Sequence, residues 1–143
     1  MLRKLCLVVC IGLFVQTRDA SAQLFAVIVN KSNSVESLTK DEVSKMFLKK
    51  TLQWQDGQDV MPVDLPATSA TRKVFSETLL GKTAAAVKSY WQQQAFSGRG
   101  TPPALKDNEK AVLEFVQANP GAIGYISPES NYTAYRVKIV DVN

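Results

Sequence analysis

An α/β domain is what this sequence predicts, a mixed sheet with helices packed on it. Three observations lead there. Branched and aromatic runs suited to buried strands alternate along the chain with apolar stripes at helical spacing. Chain breakers fall between them, at Asp56-Gly57, Pro66, Gly81, Pro102-Pro103 and Asn119-Pro120-Gly121. Within 143 residues there is no internal repeat and no low-complexity stretch, so one core and one domain are expected.

Residues 1–22 read as a secretory leader. Arg3 and Lys4 form its charged start, Leu5 to Val15 its apolar core, and Ala20-Ser21-Ala22 a small-x-small cleavage site. The apolar core is too short to span a bilayer. Cleavage after Ala22 leaves residues 23–143 as a periplasmic domain with no transmembrane segment. Cys6 and Cys10 both depart with the leader, and the chain has no histidine. The exported domain is therefore expected to have no disulfide, no thiol chemistry, no Ser–His or Cys–His nucleophile and no histidine metal cluster. Neither a cofactor nor a metal is expected, and an enzyme is not. Part of the net charge of +4 belongs to the leader, so no nucleic-acid footprint is left.

Along the exported part, Leu24 to Asn30 is an apolar, branched run expected to be a buried strand, and Lys31 to Ser37 a polar loop. Thr39 and Glu42 have the form of a capping box, with Val43, Met46 and Phe47 facing inward on the helix behind it. Lys49 to Gln58 is a connector holding Trp54. A helix over about Thr83 to Gln94 carries Ala84, Val87, Tyr90 and Trp91 as its stripe. Asp107 is the expected cap of a last helix, with Val112, Phe115 and Val116 inward and Glu109, Lys110 and Glu114 outward. Ala122 to Ile126 reads as a short strand, and Tyr135 to Val140 as a final strand at an edge.

The candidate site lies between the second strand and its helix. Val60, Met61 and Val63 suit a buried strand, Pro66 ends it, and Ser69 is a good N-cap. A helix that opens after a strand aims free N–H groups, and the positive end of its dipole, at whatever sits there. Arg72 and Lys73 follow at once. Cations in a first turn oppose the dipole, so either an anion sits there or both side chains are solvated. Ser69 and Thr71 read either as helix-cap residues, as any helix start of this kind wants, or as oxyanion donors. Arg99, between Gly98 and Gly100, reads as a forked anion donor or as a solvated loop arginine.

Four segments in order carry a family resemblance. They are Met46-Phe47-Leu48 through Trp54-Gln55-Asp56-Gly57, then Val63 through Ser69-Ala70-Thr71-Arg72 to Phe75. After these come Tyr90-Trp91 through Phe96-Ser97-Gly98-Arg99-Gly100 to Pro102-Pro103, and Asn119-Pro120-Gly121-Ala122-Ile123-Gly124-Tyr125. The chain resembles the phosphate-type periplasmic substrate-binding proteins, the soluble receptors of phosphate ABC transporters, and in particular small exported single-lobe members. That resemblance implies one lobe of a type II periplasmic-binding-protein-like fold. Full-length relatives have two lobes that close on phosphate, and their second lobe supplies a Ser-Gly-Thr turn that corresponds here to Ser69-Ala70-Thr71. Ala70 replaces the glycine, Leu65 and Ala67 stand where relatives have arginine and aspartate, and Lys49 follows Leu48 where a glycine is common.

Ser69, Ala70, Thr71, Arg72 and Arg99 are thus the expected ligand-binding residues, with phosphate or a similar oxyanion as partner. The alternative is a periplasmic interaction module that kept the fold, lost the ligand and docks on an envelope protein.

Overall fold

The computed structural model describes residues 24–143. The expected leader and its cleavage site lie outside the described residues. Six strands form one mixed sheet in the order β2-β6-β1-β5-β3-β4. They are β1 (Ala26–Asn30), β2 (Ser37–Leu38), β3 (Met61–Asp64), β4 (Ala104–Leu105), β5 (Ala122–Ile126) and β6 (Val137–Val142). Among the described residues four helices accompany them: α1 (Lys40–Phe47), α2 (Ala70–Phe75), α3 (Ala84–Phe96) and α4 (Glu109–Ala118). α2 runs on as a π-helical turn over Ser76–Leu80 and stops at Gly81, whose φ of 61° is the left-handed conformation that ends helices.

The sheet divides by strand direction. β1 is antiparallel to both β5 and β6, while β3 is parallel to β4 and to β5. The connections that follow β3, β4 and β5 therefore emerge at one edge. β1 and β5 are buried along their whole length, as continuous apolar strands covered on both faces should be.

The core is aromatic at its centre. The rings of Phe75 and Tyr125 stack at 3.8 Å and 5°, and Phe47 meets Phe75 edge-on at 4.7 Å. Such pairs contribute about 0.5–1.5 kcal/mol each beyond area burial. Gly124 lets β5 approach its neighbours closely. A Cβ there would lie 2.8 Å from Val63 Cγ1 and 2.9 Å from Val112 Cγ1.

Several expectations change. β6 is not an edge strand: Ser37 and Leu38 add a parallel strand outside it, so the loop read over Lys31–Ser37 ends in β2. In β6 the inward residues are Val137 and Val140, and Ile139 is 41% exposed, so the expected alternation through Tyr135, Val137 and Ile139 breaks after Val137. The cap of α4 is Asn108, whose Oδ1 accepts from Ala111 N at 2.9 Å, and not Asp107. β4 and the π-turn had no counterpart in the sequence reading. The capping box of Thr39 and Glu42 is present as read. Lys49 takes φ 53°, left-handed backbone that costs an L-residue about 1–2 kcal/mol, which accounts for the glycine the resemblance expects there.

Candidate functional site

Three connections meet at the carboxyl edge of the parallel strands. β3 leads into the start of α2, β4 into the start of α4, and β5 into Ser127–Ser130. In open α/β sheets ligands sit outside this edge.

At the start of α2, Ser69 is extended (φ −70°, ψ 129°) and its Oγ accepts from Arg72 N at 3.2 Å. Its carbonyl accepts from Lys73 N at 3.0 Å. Among the described residues no acceptor meets the backbone N–H of Ala70 or of Thr71. Two donors at a positive helix end are thus left open.

Arg72 goes the other way. Its side chain is buried, with Nη1 3.0 Å from Asp64 Oδ2 and 2.5 Å from the Leu65 carbonyl, while Nε donates to Ser76 Oγ at 3.3 Å. Neither sequence reading of Arg72, an anion donor at the mouth or a solvated cation, describes this placement. Asp64 Oδ1 also accepts from Leu65 N at 2.9 Å and from the Tyr125 hydroxyl. Burial raises the Asp64 carboxyl above its ordinary value, against the opposing pull of Arg72, Tyr125 and Leu65 N–H. Burial also raises the Tyr125 phenol, and the adjacent Asp64 charge adds to it.

Thr71 faces a second carboxylate. Its Oγ1 donates to Glu109 Oε1 at 2.8 Å. The same oxygen accepts from Ser127 N at 3.0 Å, and Oε2 accepts from Ser127 Oγ at 3.1 Å and from Ser130 Oγ. Glu109 therefore turns inward to this cluster, not outward as the helical stripe implied. Partial burial pushes its carboxyl up, but the hydrogen bonds from Ser130, Thr71 and Ser127 together hold it below its ordinary value.

The structure brings Ser69, Ala70, Thr71 and Arg72 to one helix start. Arg99 lies on the exposed loop after α3, and its backbone N–H bonds to the Gln94 carbonyl. The following residues reach toward the end of α1, where Lys49 Nζ donates to the Pro102 carbonyl at 3.4 Å. Glu109, Ser127 and Ser130 escaped the sequence reading. They stand 38, 18 and 21 residues from their partners, and an acid in a first helical turn already has a reason in the dipole. A groove of about 500 Å³, lined by Glu36, Leu38, Glu42, Lys45 and Trp54 among others, holds none of these residues.

The chain is 28% identical over 109 residues to the phosphate-binding protein PstS of Bacillus subtilis (strain 168), spanning 71% of this chain and 30% of that protein. An ABC-type phosphate transport receptor from Vibrio cholerae superposes with a TM-score of 0.64 at 22% identity, over 82% of this chain and 45% of the receptor. PstS from Borrelia burgdorferi gives 0.64 at 14% identity, over 84% and 47%. The chain thus spans less than half the length of these relatives. Their likeness at such identity establishes the fold, a mixed sheet lobe of the type II periplasmic-binding-protein kind. Residues 15–142 match the model of the PBP superfamily domain, and the chain belongs to that superfamily.

Proposed function

We propose that this chain is an exported lobe that binds phosphate or a similar oxyanion and serves as an accessory to phosphate uptake. It is a binding role with no catalytic step. The observation that carries it is the pair of open N–H groups on Ala70 and Thr71, at the carboxyl edge where three parallel strands end. The named functions of the matched PstS proteins and phosphate receptor support the choice of ligand.

Ser69 Oγ, Ala70 N–H and Thr71 N–H hold the anion in this reading. Arg72 supports them from behind by fixing the helix to β3, and Arg99, exposed on the loop after α3, is the assisting cation of this reading. The leader is removed after Ala22 and the domain works in the periplasm. No helix among the described residues is long and apolar enough to cross a membrane. One lobe encloses an ion less than a closing pair does, so affinity is expected to be modest without a partner.

Ala70→Pro tests this directly. Ala70 is the first helical residue, where proline is well accommodated, and Ser69 is already extended as the residue before a proline should be. The variant should keep its stability and lose about tenfold in phosphate affinity, the value of one charge-assisted hydrogen bond. No calorimetric heat from the unaltered folded protein at millimolar phosphate overturns the proposal.

One observation favours the interaction-module reading. Phe96, the last residue of α3, is 96% exposed, and Leu105 on edge strand β4 is 62% exposed. A pull-down from envelope extract that recovers no protein, beside clear phosphate binding, removes that reading.

A further inference from the structure

The Glu109 carboxylate is surrounded as a bound oxyanion would be. Four donors converge on its two oxygens: the Thr71 hydroxyl, the Ser127 N–H and hydroxyl, and the Ser130 hydroxyl. All four are neutral, and among the described residues no lysine or arginine pairs with Glu109. The side chain is tethered at the first residue of α4 and remains partly exposed, so water can receive it when it leaves.

Thr71 links this cluster to the helix mouth. Its hydroxyl serves Glu109, while its backbone N–H belongs to the open start of α2. An oxyanion held at that start therefore meets a second negative charge one residue's width away, and like charges that close disfavour each other.

We propose that Glu109 is a built-in competitor for the oxyanion: in the free protein its carboxylate occupies the Thr71, Ser127 and Ser130 donors, and an external oxyanion gains them only by displacing it. This deepens, and rests on, the reading of the α2 start as an oxyanion site. It gives the lobe a threshold, with weak binding until ligand or a docking partner moves Glu109 aside. A Glu109 that only braced the fold would have the opposite signature, because its removal would loosen the site and weaken binding.

The test uses the whole chain, Glu109→Gln and Glu109→Ala, with folding checked by circular dichroism and inorganic phosphate titrated by calorimetry. Glu109→Gln keeps the shape and removes the charge, so it remains informative if Glu109→Ala folds poorly. Each folded variant should bind phosphate at least about tenfold more tightly than the unaltered chain, the worth of a charge-assisted hydrogen bond regained. As an independent readout, millimolar acetate should raise the Tm of folded Glu109→Ala by refilling the vacated donors and should leave the unaltered chain unmoved. Heat from the unaltered chain with equal or weaker binding in the variants overturns the competitor and leaves the oxyanion site standing. So does a folded Glu109→Ala that acetate does not stabilise. No heat from the folded unaltered chain overturns both.

Discussion

Two carboxylates meet two consecutive residues of one helix start, and they are treated in opposite ways. Asp64 is buried beneath α2 and is met by a cation, Arg72, with Tyr125 and Leu65 N–H completing its shell. Glu109 is partly exposed and is met only by hydroxyls and one N–H, the Thr71 hydroxyl among them. The difference shows how a lobe can keep charge for architecture and leave neutral donors for exchange. An ion pair taken out of water is costly to open, because breaking it strands a buried charge. Hydrogen bonds from neutral groups at a wet edge can be traded for others at little net cost.

Breaking the buried side should have the largest effect. Arg72→Met strands the Asp64 carboxylate and should cost about 3–5 kcal/mol in urea unfolding. A loss below about 1 kcal/mol would mean the pair is not what fixes α2 to β3. Tyr125→Phe removes a single donor from the same carboxylate while leaving the Phe75 stack in place, and should cost about 1–2 kcal/mol. Ser69→Ala acts on the helix that both carboxylates share, by deleting its cap, and about 1 kcal/mol is expected in the same assay.

The smallest effect separates the two carboxylates by pH. Glu109 is held below its ordinary value near 4.5, so it contributes stability above that pH and loses it as the pH falls through its folded value. Asp64 is raised above 3.8, so the folded chain holds its proton more tightly than the unfolded chain, and its contribution declines as pH rises through that window. The urea midpoint of Glu109→Gln should accordingly fall less steeply below pH 4.5 than that of the unaltered chain. Parallel midpoint curves would show that Glu109 draws no stability from its hydroxyl shell.

Much of the fold could be read before any coordinates. Local signals sufficed where the interaction itself is local: the Thr39 box joins residues three apart, and Ser69 Oγ accepts from the N–H three residues ahead. β1 and β5 announced themselves because a strand buried on both faces needs an unbroken apolar run. β2 and β4 gave no such signal, since two residues at a sheet edge need no pattern of their own.

The candidate site divides along the same line. The sequence alone determined the helix start, its cap and its open N–H groups, because each follows from residues within one turn. Which way Arg72 and Thr71 point was decided only by tertiary structure. Asp64 and Arg72 became a buried pair once β3 lay under α2, and Glu109 reached Thr71, Ser127 and Ser130 only once three parallel strands brought their exits together. A side chain's partner across 38 residues is set by the packing of the sheet, which no short window of sequence contains.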